Sequence, residues 1–148
     1  MKIDFALALH VLGCLTAKSE TPVSSDFLAS TFGTSPVVVR RLLTKLKAAG
    51  LVQTQRGVGG GTILARPPSE ISLLDAFHAV SEDHTLLRRH PSTDSDVGEV
   101  IGDFINDLFA SLEADLFEQL DAVSVAELDA EVRPKIIARL YRKDRKPN

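Results

Sequence analysis

The sequence predicts a mainly α-helical fold with one small β hairpin, and three observations carry that prediction. Apolar residues recur at helical spacing over most of the chain. One glycine-rich stretch, Arg56 to Gly61, is flanked by two short runs rich in β-formers. The charge is also segregated. From Phe27 to Ser69 there are six Lys or Arg and no acid, in a chain of formal net charge −3. From Glu70 to Val132 there are sixteen acids and two bases, and from Arg133 onward seven bases and one acid. A basic block in an acidic chain fits a polyanion-binding face, with a solvated or partner-binding surface elsewhere.

Composition narrows the class. A length of 148 residues, 44% hydrophobic, suits one domain, or one small domain with a helical extension. Aromatics are 5% and Trp is absent, so the core must be largely aliphatic. No run of about 18 apolar residues exists, which excludes a membrane span. The apolar run from Ile3 to Leu15 contains Asp4 and His10 and lacks a basic leader, so it reads as a mature helix of a cytoplasmic protein. The single cysteine, Cys14, excludes an intrachain disulfide and a CxxC metal site. Cys14 reads as a small buried hydrophobe, with a redox thiol as the alternative.

The elements follow in order. Asp4 to Ala17 is apolar nearly all round and is expected to be the central helix. Ser24 or Ser25 can cap a short helix that Gly33 ends. Ser35 and Pro36 then open the next helix, giving helix, tight turn, helix. In that helix Val39, Leu42, Leu43 and Leu46 form an apolar stripe. The outward side carries Val37, Arg41, Thr44 and Ala48, with Arg40, Lys45 and Lys47 on its flanks. A basic helix with short residues between its charges can lie in a major groove. Leu51–Gln55 and Thr62–Ala65 read as paired strands around a glycine turn. In such a wing Gly59 and Gly60 let backbone amides approach phosphate, and Arg56 reaches a minor groove. A strand rather than a helix follows the glycines, which argues against a nucleotide loop.

Ser72 to Asp75 matches a capping box for a helix over 73–81. Residues 82–95 lack periodicity and are expected to be a flexible loop, in which two histidines are a weak metal signal. Asp96 to Asp121 is the longest helical pattern, roughly 38 Å at 1.5 Å per residue. Val97, Val100, Ile101, Phe104, Leu108, Leu112, Leu116 and Leu120 line one side, with Ile105, Phe109 and Phe117 widening it. Its acids, Glu113 among them, are assigned to the solvated side. So broad a stripe implies a second copy, with Val97, Ile101, Phe104, Leu108 and Leu112 at the interface. A further short helix runs from Ser124 to Arg133, where Pro134 breaks or kinks it. Residues 142–148 form a basic tail.

The pattern from Gly33 to Ala65 resembles the Rrf-two family of winged-helix transcription regulators. The carrying residues are Gly33-Thr34-Ser35, Leu42-Leu43 with Leu46, Ala49-Gly50-Leu51-Val52 and, most specifically, Arg56-Gly57 followed by Gly59-Gly60-Gly61. The continuation Leu64 to Pro68 and Ile71 to Asp75 also matches. The resemblance implies a winged helix-turn-helix domain over 1–81, a long C-terminal dimerisation helix within 96–141, and a homodimer on double-stranded DNA, usually a repressor at a palindromic operator. By motif position it implies DNA contacts from Ser35, Val37 and Arg40, and a minor-groove arginine in Arg56. Members of the family often carry an aromatic where Val38 or Thr62 stands, so base preference is expected to differ. Cluster-binding members have three cysteines between the fourth helix and the long helix. The span 82–100 has none, so the resemblance implies a member without an iron–sulfur cluster.

Two other readings compete. One is a protein-interaction adaptor that no longer binds DNA, against which six unopposed bases argue. The other is an enzyme, for which the sequence offers no Ser/His/Asp set, metal-ligand cluster or phosphate loop. No residue pattern names an effector.

Overall fold

The structure is a computed structural model that describes residues 3–91 and 94–143. Residues 144–148 of the predicted tail therefore lie outside the described residues, as do Ser92 and Thr93 of the predicted loop. The chain forms α1 (Ile3–Ala17), α2 (Ser25–Phe32), α3 (Pro36–Ala48), β1 (Val52–Gln55), β2 (Gly61–Leu64), α4 (Leu73–Val80), α5 (Asp96–Asp121) and α6 (Val125–Lys143). A 3-10 turn, Pro68–Glu70, precedes α4.

Local chemistry sets most boundaries. The Ser24 and Ser35 hydroxyls accept from the Phe27 and Val38 amides and so start α2 and α3. Gly33 ends α2 at φ 79°, a left-handed conformation that glycine takes without a Cβ clash. Ser72 and Asp75 complete the capping box of α4 in both directions. These caps, with the apolar stripe of each helix, give the mainly helical fold its predicted order.

α1 is the central helix. Phe5, Leu7, Ala8, Val11, Leu12 and Leu15 are buried on several sides because α2, α3, α4, α6 and β2 all pack around it. Val39, Leu42 and Leu46 of α3 and Phe77 of α4 fill the same core. The wing strands are antiparallel, with Val52 opposite Leu64 and Gln55 opposite Gly61. Val23 adds a one-residue third strand: its amide donates to the Thr62 carbonyl at 3.0 Å, and the Thr62 amide donates back at 2.9 Å. That exchange holds the wing against the entrance of α2.

The close approach of Val23 requires glycine in the wing. A Cβ on Gly61 would lie 2.7 Å from the Val23 carbonyl oxygen, and one on Gly60 would press on the Gln55 carbonyl. Gly60→Ala and Gly61→Ala are each expected to destabilise the fold by about 1–3 kcal/mol, read as a lower Tm, because the obstructing atoms are backbone.

The C-terminal part shares the core. Val125 is fully buried, and Phe117 and Leu120 pack against the same cluster. The Leu73 amide donates to the Val123 carbonyl, and the Val125 amide to the Ile71 carbonyl. One expectation is corrected here: the last helix does not stop at Arg133 but runs through Pro134 to Lys143. Proline removes one N–H and strands the carbonyl of Ala130. Ala130 is exposed, so water can take that carbonyl. Ion pairs Asp129–Arg133 (2.6 Å) and Glu131–Lys135 (3.7 Å) brace the turns on either side.

Residues 82–91 and 94–95 lack regular structure, as expected, but they are held against α5. Glu113 was assigned to the solvated side of α5, and the structure corrects this. Its Oε1 accepts from the Thr85 hydroxyl at 2.7 Å, from the Leu86 amide and from the Leu87 amide at 3.3 Å. Asn106 accepts from the His90 amide at 2.8 Å. Partial desolvation pushes the Glu113 carboxyl up, but these donors and the nearby Arg89 charge outweigh it and hold the group below its ordinary value. A carboxylate lowered on folding stabilises above its unfolded pKa of about 4.3, and that contribution is lost as pH falls through the folded value. The loop is therefore expected to release from α5 in acid, as pH falls below the ordinary carboxylate range and through the lowered Glu113 value. Glu113→Gln should release it at neutral pH, and amide hydrogen exchange at Leu86 and Leu87 reads both effects.

Candidate nucleic-acid interface

α3 presents its basic side away from the core. Val37, Arg40, Arg41, Thr44 and Lys47 are exposed, while Val39, Leu42 and Leu46 face inward. Ser35 stands at the N-terminus of this helix, where its hydroxyl oxygen is engaged as the cap. Arg56 is exposed at the base of the wing. Beyond it Gly57 (φ 99°) and Gly59 (φ 73°) turn the chain in conformations that favour glycine, with Val58 at the tip and Gly60 closing the turn on the Gly57 carbonyl at 3.0 Å.

Between α3 and the wing lies an open groove of about 370 Å³. Its walls include Ser25, Arg40, Thr44, Lys47, Thr54 and Gly61. The Arg40 guanidinium donates to the Ser25 hydroxyl at 3.4 Å, which aims it across this groove. Among the described residues Arg41, Lys47 and Arg56 make no ion pair, so their charge is available to an outside anion.

Lys45 departs from the sequence reading. It lies on the far flank of α3, 3.8 Å from Asp4 of α1 and 3.6 Å from Glu82. Two carboxylates within the chain already compensate its charge. Lys47 lines the groove instead, and helical geometry carries that signal. Arg40 and Lys47 are seven residues apart and share a flank, whereas five residues put Lys45 about 140° round from Arg40.

Cys14 is half-buried on α1, 3.8 Å from the Thr31 hydroxyl. Burial pushes its thiol up, and the Thr31 hydroxyl and the Lys18 charge offset this only in part. That favours the unreactive protonated form. His10 is satisfied by the same hydroxyl at 2.9 Å and packs edge-on against Phe32.

On α5 the predicted stripe divides. Phe117 and Leu120 turn inward, and Gly102 is buried under His90. Val97, Val100, Ile101, Phe104, Leu108, Leu112 and Leu116 remain exposed, Phe104 by 70%. A contiguous apolar face of this kind marks an interaction surface.

The model of the Rrf2 family, described as iron-dependent transcriptional regulators, matches residues 1–131. The chain belongs to the Rrf2 family. This Rrf2 protein is 31% identical over 125 residues to YwnA of Bacillus subtilis (strain 168), named provisionally as an HTH-type transcriptional regulator; the match covers 83% of this chain and 92% of YwnA. It is also 31% identical over 134 residues to the HTH-type transcriptional regulator IscR of Cereibacter sphaeroides, across 89% of this chain and 82% of that one. Among solved structures, IscR of T. potens superposes with a TM-score of 0.70 over 89% of this chain and 87% of that chain, at 23% identity. The B. subtilis cysteine regulator CymR gives a TM-score of 0.69 at 23% identity, over 88% and 96% of the two chains. These neighbours confirm the winged-helix fold. The Rrf2 protein is accordingly a DNA-binding transcription regulator, and its family and relatives are regulators rather than enzymes.

The family description implies iron, and the donor set here does not fit a cluster held by cysteines. The one cysteine, Cys14, is turned into the α1–α2 contact, and the segment between α4 and α5 contains none. Among the described residues no His, Cys, Asp or Glu group of three or more is arranged to hold a metal. Nor is any described helix long and apolar enough to cross a membrane.

Proposed function

We propose that this regulator is a cytoplasmic homodimeric repressor that reads a palindromic operator and works without an iron–sulfur cluster. Residues 1–81 form the DNA-binding head and residues 96–141 the dimerising part. In each half-site α3 enters the major groove, where Val37, Arg41 and Thr44 face base edges. Ser35, Arg40 and Lys47 approach the flanking phosphates, and Arg56, with the Gly59 and Gly60 amides, approaches the backbone and minor groove beside them. The observation that carries this reading is the set Arg41, Lys47 and Arg56, exposed and without an ion pair among the described residues, on the side where α3 and the wing converge. Lys45 is left out because Asp4 and Glu82 already hold it.

Selection of bound duplexes from a random pool, followed by mobility shifts over a range of salt concentrations, tests the reading. The expected product is a two-fold sequence whose half-sites lie about one helical turn, or a multiple of it, apart. Its affinity should fall linearly in log–log against salt. Uniform weak binding to every duplex would instead favour an adaptor. Transcription in vitro from the selected site should fall when the protein is added; a rise would make it an activator.

A further inference from the structure

We propose that His78 and His84 form a chelating pair for one late first-row divalent metal ion, of the Zn²⁺ or Cu²⁺ class. His78 lies in the last turn of α4 and His84 in the segment leading to α5. Their Nδ1 atoms are 3.3 Å apart and their ring centroids 5.2 Å apart. Two nitrogens bound at about 2.05 Å to a tetrahedral ion lie about 3.3 Å from each other, so the pair already has the bite of two ligands on one metal. Both imidazoles are exposed, which leaves the remaining coordination positions open to water.

The surroundings hold this geometry. The His78 ring packs edge-on against Phe117 of α5 at 5.5 Å and lies 5.5 Å from Phe77. His84 has φ 48°, a left-handed backbone that non-glycine residues adopt uncommonly. Imidazole nitrogen selects Zn²⁺, Cu²⁺ and Ni²⁺ over the oxygen-seeking Mg²⁺ and Ca²⁺. Among the described residues no third His, Cys, Asp or Glu completes a set, so the ion is exchangeable rather than structural. Bound there, it would tie the end of α4 to the segment that Glu113 and Asn106 hold on α5.

Calorimetric titration of the metal-free full chain with Zn²⁺, Cu²⁺ and Mg²⁺ tests the site. One Zn²⁺ or Cu²⁺ per chain is expected, with no Mg²⁺ binding. His78→Ala and His84→Ala should each weaken the binding at least tenfold, while His10→Ala and His90→Ala leave it unchanged. Both target rings are exposed, and far-UV circular dichroism should show the fold intact in their variants. The Cu²⁺ complex should show nitrogen hyperfine coupling by electron paramagnetic resonance, lost in the double variant. Wild-type affinity in the His78→Ala/His84→Ala variant, an equal loss in His90→Ala, or no binding by the native chain would each overturn the assignment.

Discussion

Arg41→Ala and Arg56→Ala are each expected to weaken operator binding by about 1–3 kcal/mol per half-site, and in different ways. Arg41 sits on the outward side of α3 among short residues, Val37, Thr44 and Ala48, that let the helix approach the base edges. Its loss should relax sequence preference at one position of each half-site, because a base-edge contact carries sequence information. Arg56 is at the base of the wing. Its loss should weaken binding to every duplex, most where the minor groove is narrow, and lower the salt slope by about one per half-site. Lys47→Ala should weaken binding uniformly across sequences and lower the salt slope in the same way. Lys45→Ala should stay near wild type, since its charge is already compensated by Asp4 and Glu82. Mobility shifts on the selected operator and on scrambled duplex separate these outcomes. Wild-type binding by both arginine variants would show that α3 and the wing do not form the DNA face.

That contrast between two lysines two positions apart shows where the sequence was legible and where it was not. Helix starts were readable because a serine cap and its partner amide are three residues apart, as at Ser24, Ser35 and Ser72. The end of α2 was readable because Gly33 alone satisfies a left-handed φ cheaply. The wing was readable because four glycines in five residues precede β-formers. The position of Lys45 about 140° round α3 from Arg40 was legible from helical geometry, but its ion pairs were not, because Asp4 and Glu82 come from α1 and from the segment after α4. Glu113 was misread for the same reason: its three donors arrive from 26 to 28 residues upstream. Pro134 misled in the opposite direction. A local rule predicted a break or a kink, and the helix continues through Pro134, with ion pairs on either side and an exposed Ala130 whose carbonyl water can reach. The third strand at Val23 is a single residue, too short for any alternation to show.

Phe104→Glu and Leu108→Glu are each expected to dissociate the proposed dimer into monomers. On the exposed side of α5, Val97, Ile101, Phe104, Leu108 and Leu112 follow steps of four, three, four and four residues, the spacing of a seam between packed helices. Phe104 is 70% exposed and Leu108 45%, so neither is occupied by the chain's own core. In a two-fold interface each substitution acts twice. Losing the burial of two large apolar side chains costs about 3–6 kcal/mol, and forcing two carboxylates out of water adds to that. The dimer should therefore weaken by about a hundredfold to ten-thousandfold. Sedimentation velocity should give a monomer at micromolar concentration, with helical content unchanged by circular dichroism. The same variants should lose operator affinity without losing contact with single half-sites, because the linkage between two heads, and not either head, has been removed. A monomeric native chain, or a Phe104→Glu variant that dimerises as tightly as the native chain, would remove α5 as the interface.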